Sequence, residues 1–361
     1  MDIYNIKWSI LLAIAILVYS FKLCKKYHWS AGALFGYVGL NALYTFSYPT
    51  NLYNQFPKSV FNTLTGYTAK SFVALLLVII LVDLVKKDLI PKLFVALMTI
   101  NSIYTIYQFF TVDSYINVTG FFDNISLNGG LMALSIPIVL KKYNKIFLIP
   151  LITAILCCKA SVASGVMALA LSSFYFAKHK KVLIPIILFC GALGIASLVD
   201  DGTFKHSGRA MLYKIQTKAF FDDSICYQDK SKEVCLDNGN KAFGRSPGTF
   251  HFWAFITQLK YYLSEGRGKR GELIRFLHSD WLQIMIDLGY VGLGLSLILA
   301  FYLMFMSWGS PMMFSMLISY MGFMVFHYPI HYPAQAFVGI WIIMYIILNY
   351  KKELGIIIRE V

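Results

Sequence analysis

Charge is scarce in this sequence. Only 14% of its residues are Asp, Glu, Lys or Arg, against 58% that are hydrophobic, and that balance excludes a soluble enzyme of this size. No internal repeat is detectable, which leaves the inverted-repeat architecture of secondary transporters without support. No small-residue cleavage site follows the first apolar run, and lysines do, so the run is expected to be a retained helix and not a signal peptide. Cysteine is sparse as well, six in all.

Apolar length is what the chain has in abundance. Crossing a hydrocarbon core of about 30 Å takes about 20 helical residues, because lipid offers an open backbone no partner. About eleven stretches approach this requirement, at 8–23, 29–48, 66–85, 91–111, 127–140, 145–158, 161–177, 182–199, 281–306, 312–329 and 334–350. The expected fold is therefore an all-α polytopic membrane protein with one large, partly helical outer loop. Lysines mark every second connection: Lys22, Lys25 and Lys26, then Lys86, Lys87 and Lys92, Lys141, Lys142 and Lys145, Lys178, Lys180 and Lys181, and finally Lys351 and Lys352. This is the positive-inside pattern, and it accounts for the net charge of +14 without a nucleic-acid partner. It sets the amino terminus outside and the carboxyl terminus in the cytoplasm; "SWGSP" at 307–311 is a cytoplasmic connection without a basic residue. On this topology Cys24 is cytoplasmic, Cys190 lies in the bilayer, and Cys157 and Cys158 sit near the outer edge. Only Cys226 and Cys235 share an outer hydrophilic segment, where a disulfide is permitted but not required.

The layout is lopsided. Spans one to eight fill residues 1–199, one polar excursion fills 200–280, and spans nine to eleven with a cytoplasmic tail fill 281–361. The excursion carries thirteen Lys/Arg and ten Asp/Glu. Structureless loops beyond about 15 residues are uncommon, so it is expected to fold, with "GRAMLYKIQTKAFF" at 208–221 and "GTFHFWAFITQLKYYLSE" at 248–265 as helices on the membrane surface.

Chemistry concentrates where the excursion ends, in "FLHSDWLQIMIDLGYVGLG" at 276–294. A lone histidine outside a span is an interface anchor, but His278 is followed by Ser279 and Asp280 and preceded one turn earlier by Arg275. Asp280, Gln283 and Asp287 form a polar stripe at i, i+3 and i+7. A carboxylate within a span must face other helices or water, so the stripe points to a wet cavity. Lys205, Arg209, Arg245, Arg267, Lys269, Arg270 and Arg275 make the excursion basic. They form either a solvated, headgroup-facing surface or an anion site, for which arginine's planar fork suits phosphate oxygens. For Lys70 and Lys159, at outer ends of spans, snorkelling is the simpler role. His327 and His331 mimic a metal pair at i, i+4, yet Pro329 stands between them and no companion Cys or Glu is near. "GRSPG" lacks the lysine of a nucleotide phosphate loop. No metal and no cofactor is expected.

Taken together these residues resemble the O-antigen ligase and O-antigen polymerase superfamily of bacterial envelopes. The likeness lies in many spans, one large late outer loop, and a loop end reading His-Ser-Asp-Trp-Leu-Gln, where nine residues after the His-Ser pair comes Gly-x-x-Gly, here Gly289 and Gly292. "SGRAMLYK" resembles the family's arginine at the start of the loop, "FGRSPGTF" its glycine-rich turn, and "FFDNISLNGGLMALSIPIVLKK" at 121–142 its asparagine-containing helix leading to a proline and a basic turn. The likeness runs from residue 120 or so to the end. It departs at "CCKASVASGVMALAL", where the family carries Ser-Arg or Thr-Arg and this chain offers only Lys159.

The resemblance implies glycan transfer at the periplasmic face of a bacterial inner membrane. The donor would be a glycan on undecaprenyl diphosphate, and the acceptor another lipid-linked repeat unit or the lipid A core. His278 would be the general base, Arg209, Arg245, Arg275 and Lys159 would hold the diphosphate, and Asp280 would orient His278 or bind sugar hydroxyls. A polymerase of repeat units, with a chain-length regulator protein as candidate partner, is favoured over a ligase. Competing readings from other classes are a transporter or flippase for a lipid-linked glycan and a membrane scaffold whose loop binds a partner protein.

Overall fold

The computed structural model describes residues 3–47, 89–114, 117–122, 124–179, 208–222, 224–229, 232–237, 241–244, 257 and 279–353. Among these residues the helices are α1 (Ile3–Lys26), α2 (Trp29–Ser47), α3 (Leu89–Thr111), α4 (Ile125–Lys142), α5 (Leu148–Cys157), α6 (Ser161–His179), α7 (Gly208–Phe221), α8 (Asp280–Ser307), α9 (Pro311–Phe326) and α10 (Pro333–Glu353). One antiparallel hairpin, β1 (Ser224–Asp229) and β2 (Lys232–Asp237), is the departure from an all-helical chain among the described residues. It stands inside the excursion, between the two helices expected there; a two-residue period over "SICYQD" and "KEVCLD" is too short to read as strands against the surrounding sequence. The chain divides into two compact units, one from 1–75 and 202–300, the other from 76–201 and 301–361.

In the first unit α1 and α2 form a helical hairpin across Tyr27 and His28. His28 caps the second helix: its carbonyl accepts from Ala31 N at 3.1 Å and its Nδ1 from Ser30 N at 3.3 Å. Gly36 and Gly39 sit against α1 so closely that a Cβ would lie 2.8 Å from Ser20 Oγ and 2.7 Å from Ile16. Such small-residue seams let backbones meet where no hydrophobic force between helices is available in lipid.

In the second unit, Gly129 and Gly130 on α4 leave room for Ala163 of α6 and the ring of Phe323 on α9, and Ser315 of α9 donates to the Ala170 carbonyl of α6 at 2.6 Å. The fully buried Trp341 of α10 lies 6.4 Å from Phe94 of α3, centroid to centroid. Polar side chains fill the inside. Asn101 Nδ2 donates to Asn128 Oδ1 at 2.7 Å, Asn128 Nδ2 to Thr105 Oγ1 at 3.1 Å, and Asn101 Oδ1 accepts from Phe121 N at 2.8 Å. On the same helix Leu89, Leu93, Leu97, Ile100, Ile103, Tyr107 and Phe110 are exposed. A helix with amides buried and leucines outside is built for an apolar solvent.

Among the described residues three helices are long and apolar enough to cross a membrane, Leu89–Thr111, Ser161–His179 and Asp280–Ser307, while Lys145–Cys157, Pro311–Phe326 and Ala334–Tyr350 are apolar but shorter. These are compatible with a membrane protein. The stretch expected to span at 145–158 opens with a single 3-10 turn, Lys145–Phe147, and continues as the ten residues of α5, a length of about 15 Å. The stretches at 66–85 and 182–199, with Lys70 and Cys190, lie outside the described residues.

Candidate functional site

The polar stripe belongs to the first two turns of α8, and local chemistry explains why the helix begins there. Ser279 is its N-cap: the Ser279 carbonyl accepts from Gln283 N at 3.0 Å and its hydroxyl from Leu282 N at 3.5 Å. Asp280 follows at the first helical position, where a carboxylate meets the positive end of the helix dipole. Asp280 is 1% exposed, Gln283 3% and Asp287 5%, and Gln283 Nε2 donates to Asp287 Oδ2 at 3.3 Å. Two buried carboxylates two turns apart, with an amide between them, therefore line one face of α8 over about 10 Å.

The opposite face of the same turns is apolar and covered. Phe220 of α7 packs on Ile286 with Leu282, Met285 and Tyr213 around them, and its ring meets Tyr290 edge-on at 5.6 Å. Ile215 and Ala219 of α7 are buried as well. Gln216 of α7 is also buried and donates to Thr257 Oγ1 at 2.6 Å. Thr257 is the described residue of the helix expected at 248–265, and it is helical.

The stripe ends at a break. Gly289 has φ 65 and ψ −166 inside α8, a region open essentially to glycine alone. The break frees backbone groups that a buried segment cannot leave unpaired. Tyr290 N donates to Lys241 O at 3.1 Å, Val291 N to Ala242 O at 3.0 Å, and Leu288 O accepts from the Tyr37 hydroxyl of α2 at 2.8 Å. The same hydroxyl donates to Phe243 O at 3.0 Å. Gly244, at φ 76, lies directly against Gly289, and a Cβ on either would collide with the backbone of the other's segment. The Lys241–Gly244 turn and the Asp287–Val291 segment of α8, some forty-five residues apart, thus meet at one backbone junction.

Of the expected site residues, Asp280 is in the buried stripe. Arg209 stands in the first turn of α7, the helix whose last turn packs on α8. His278, Arg245 and Arg275 lie outside the described residues; Arg245 directly follows Gly244 in sequence and His278 directly precedes Ser279. Lys159 belongs to the other unit. It is exposed, holds a φ of 48, and places its Nζ 5.6 Å from the Phe109 ring centroid, a cation over an aromatic face. His327 is fully buried at the end of α9 and its Nδ1 accepts from Tyr328 N at 3.0 Å, which occupies one of the two nitrogens a metal would use. Tyr37, Gln216 and Lys241 escaped the sequence reading, since nothing local to them signals a distant partner. No family model, no curated protein and no solved structure matches this chain.

Proposed function

We propose that this chain is a membrane glycosyltransferase of the O-antigen polymerase type, joining undecaprenyl-diphosphate-linked repeat units at the periplasmic face of a bacterial inner membrane. The observation that carries the proposal is the buried Asp280, Gln283 and Asp287 stripe directly behind the His278-Ser279 pair, at the head of a membrane-length helix. Sugar hydroxyls are bound by such carboxylates and amides, and lipid is not. The proposed topology has about eleven spans, residues 200–280 outside and the lysine clusters at 141–145 and 178–181 inside.

In the proposed reaction His278 takes the proton of the acceptor hydroxyl as its oxygen attacks the anomeric carbon. The bond from that carbon to the diphosphate oxygen breaks, the electron pair leaves with the diphosphate, and the configuration inverts. A diphosphate needs no proton to depart, but its charge needs support, which is the role assigned to Arg209, Arg245 and Arg275, with Lys159 as the remaining candidate cation. Transfer to lipid A core, the ligase reaction, uses the same chemistry with another acceptor.

The test is transfer by purified protein in vesicles holding only lipid-diphosphate-linked repeat units. Longer glycans are expected without any nucleotide-sugar, and His278→Ala should lower the rate by a factor of about 100 to 10,000 at unchanged membrane abundance. Glycan moved across the vesicle without growth would replace the proposal with a transporter.

A further inference from the structure

The excursion's middle is closed at its base. The chain leaves α7 at Phe221 and returns at Lys241, whose Nζ donates to the Phe221 carbonyl at 2.8 Å. Between these points the hairpin pairs Ser224 with Asp237, Cys226 with Cys235, Tyr227 with Val234, Gln228 with Glu233 and Asp229 with Lys232. Two residues connect Asp229 to Lys232. Across a two-residue connection the flanking pair exchanges both backbone hydrogen bonds. Counting back from it, Tyr227 and Val234 form the next hydrogen-bonded pair, and Cys226 and Cys235 fall in a non-hydrogen-bonded pair. In that kind of antiparallel pair the α-carbons stand about 4.5 Å apart with the side chains closer than at the alternate sites. A disulfide spans α-carbons about 4.4 to 6.8 Å apart without backbone movement. One residue of slip in either strand would destroy the match.

We propose that Cys226 and Cys235 form a disulfide that staples the hairpin and, through it, the segment that completes the α8 junction. Four residues beyond the end of β2 stands Lys241, followed by Ala242, and their carbonyls take the N–H groups freed at Gly289. The staple therefore sits between the two places where the excursion docks on α8: Phe220 before the hairpin and Lys241–Gly244 after it. Formation removes one proton and one electron from each thiol and makes one S–S bond. The acceptor is a protein disulfide of the thiol-exchange class, reduced to a dithiol in two exchange steps. Cys24, Cys157 and Cys158 are free, so thiol labelling has built-in internal controls.

The test uses the full chain in its native membrane, trapped with N-ethylmaleimide at low pH and digested without reductant. A cross-linked peptide pair carrying Cys226 and Cys235, lighter by two hydrogens than the two thiols, is expected, and reductant should abolish it. Protease cleavage within 222–240 should speed up severalfold on reduction of wild type and should not respond to reductant in the Cys226→Ser/Cys235→Ser variant. Maleimide on both cysteines before reduction, or either one bridged to Cys190 or to a second copy, would overturn the staple. The readout is a mass, so its failure is separate from any failure of glycan transfer.

Discussion

Gly289 and Tyr37 both contribute to the α8 junction. Gly289 supplies a backbone conformation that no side chain tolerates, and Tyr37 supplies a hydroxyl to the Leu288 carbonyl that the break exposes. Tyr37→Phe removes that hydroxyl alone, and the unpaired carbonyl should cost about 1–3 kcal/mol, read as a lower unfolding midpoint in detergent. Gly289→Ala should be worse, since strain at this φ and ψ adds to a collision with the Ala242 backbone. Gly294→Ala is the control: nothing lies within 4 Å of its Cβ, and alanine is the better helix former. If all three variants melt like wild type, the junction does not hold the excursion. The glycine spacing was legible in the sequence; its partner at Gly244 was not, because a turn and a helix some forty-five residues apart share no local pattern. Ser279 shows the converse, a residue of the suspected cluster whose contacts are those of a helix cap.

Helix α3 shows at the level of an element how the solvent is written into a structure. Its exposed positions Leu93, Leu97 and Ile100 recur at helical spacing, and the positions one residue on, Phe94, Met98 and Asn101, about 100° further round the helix, are buried. The sequence marks this stretch as long and apolar but not which side is inside, because both sides are apolar. The side is decided by Asn101, whose amide finds Asn128 and Phe121; an amide facing lipid has no such partner. Cysteines placed singly at Leu93, Leu97 and Ile100 should react with a thiol-directed probe dissolved in the lipid phase, and one at Met98 should be protected. Uniform labelling, or labelling from water alone, would show that this face meets something other than acyl chains.

At the scale of the whole chain the open matter is orientation. On the topology proposed from the lysine clusters, residues 200–280 lie outside and 141–145 and 178–181 lie in the cytoplasm. After Cys226 and Cys235 are replaced, Ser231→Cys should react with an impermeant thiol reagent in intact spheroplasts. Labelling only after lysis would reverse the topology and move the proposed site to the cytoplasmic face.

The positions of the helices were set by the sequence alone: the expected 29–48, 91–111, 161–177 and 281–306 became Trp29–Ser47, Leu89–Thr111, Ser161–His179 and Asp280–Ser307. Length, apolarity and the residues at helix ends are local properties, and so is the stripe of Asp280, Gln283 and Asp287 on one helical face. The tertiary structure alone decided the register that sets Cys226 opposite Cys235, the burial of Asn101 and Asn128, and the meeting of Gly244, Gly289 and Tyr37. Each of these depends on a hydrogen-bonding group that must find a partner once water is excluded, and a linear pattern does not say which distant residue will supply it.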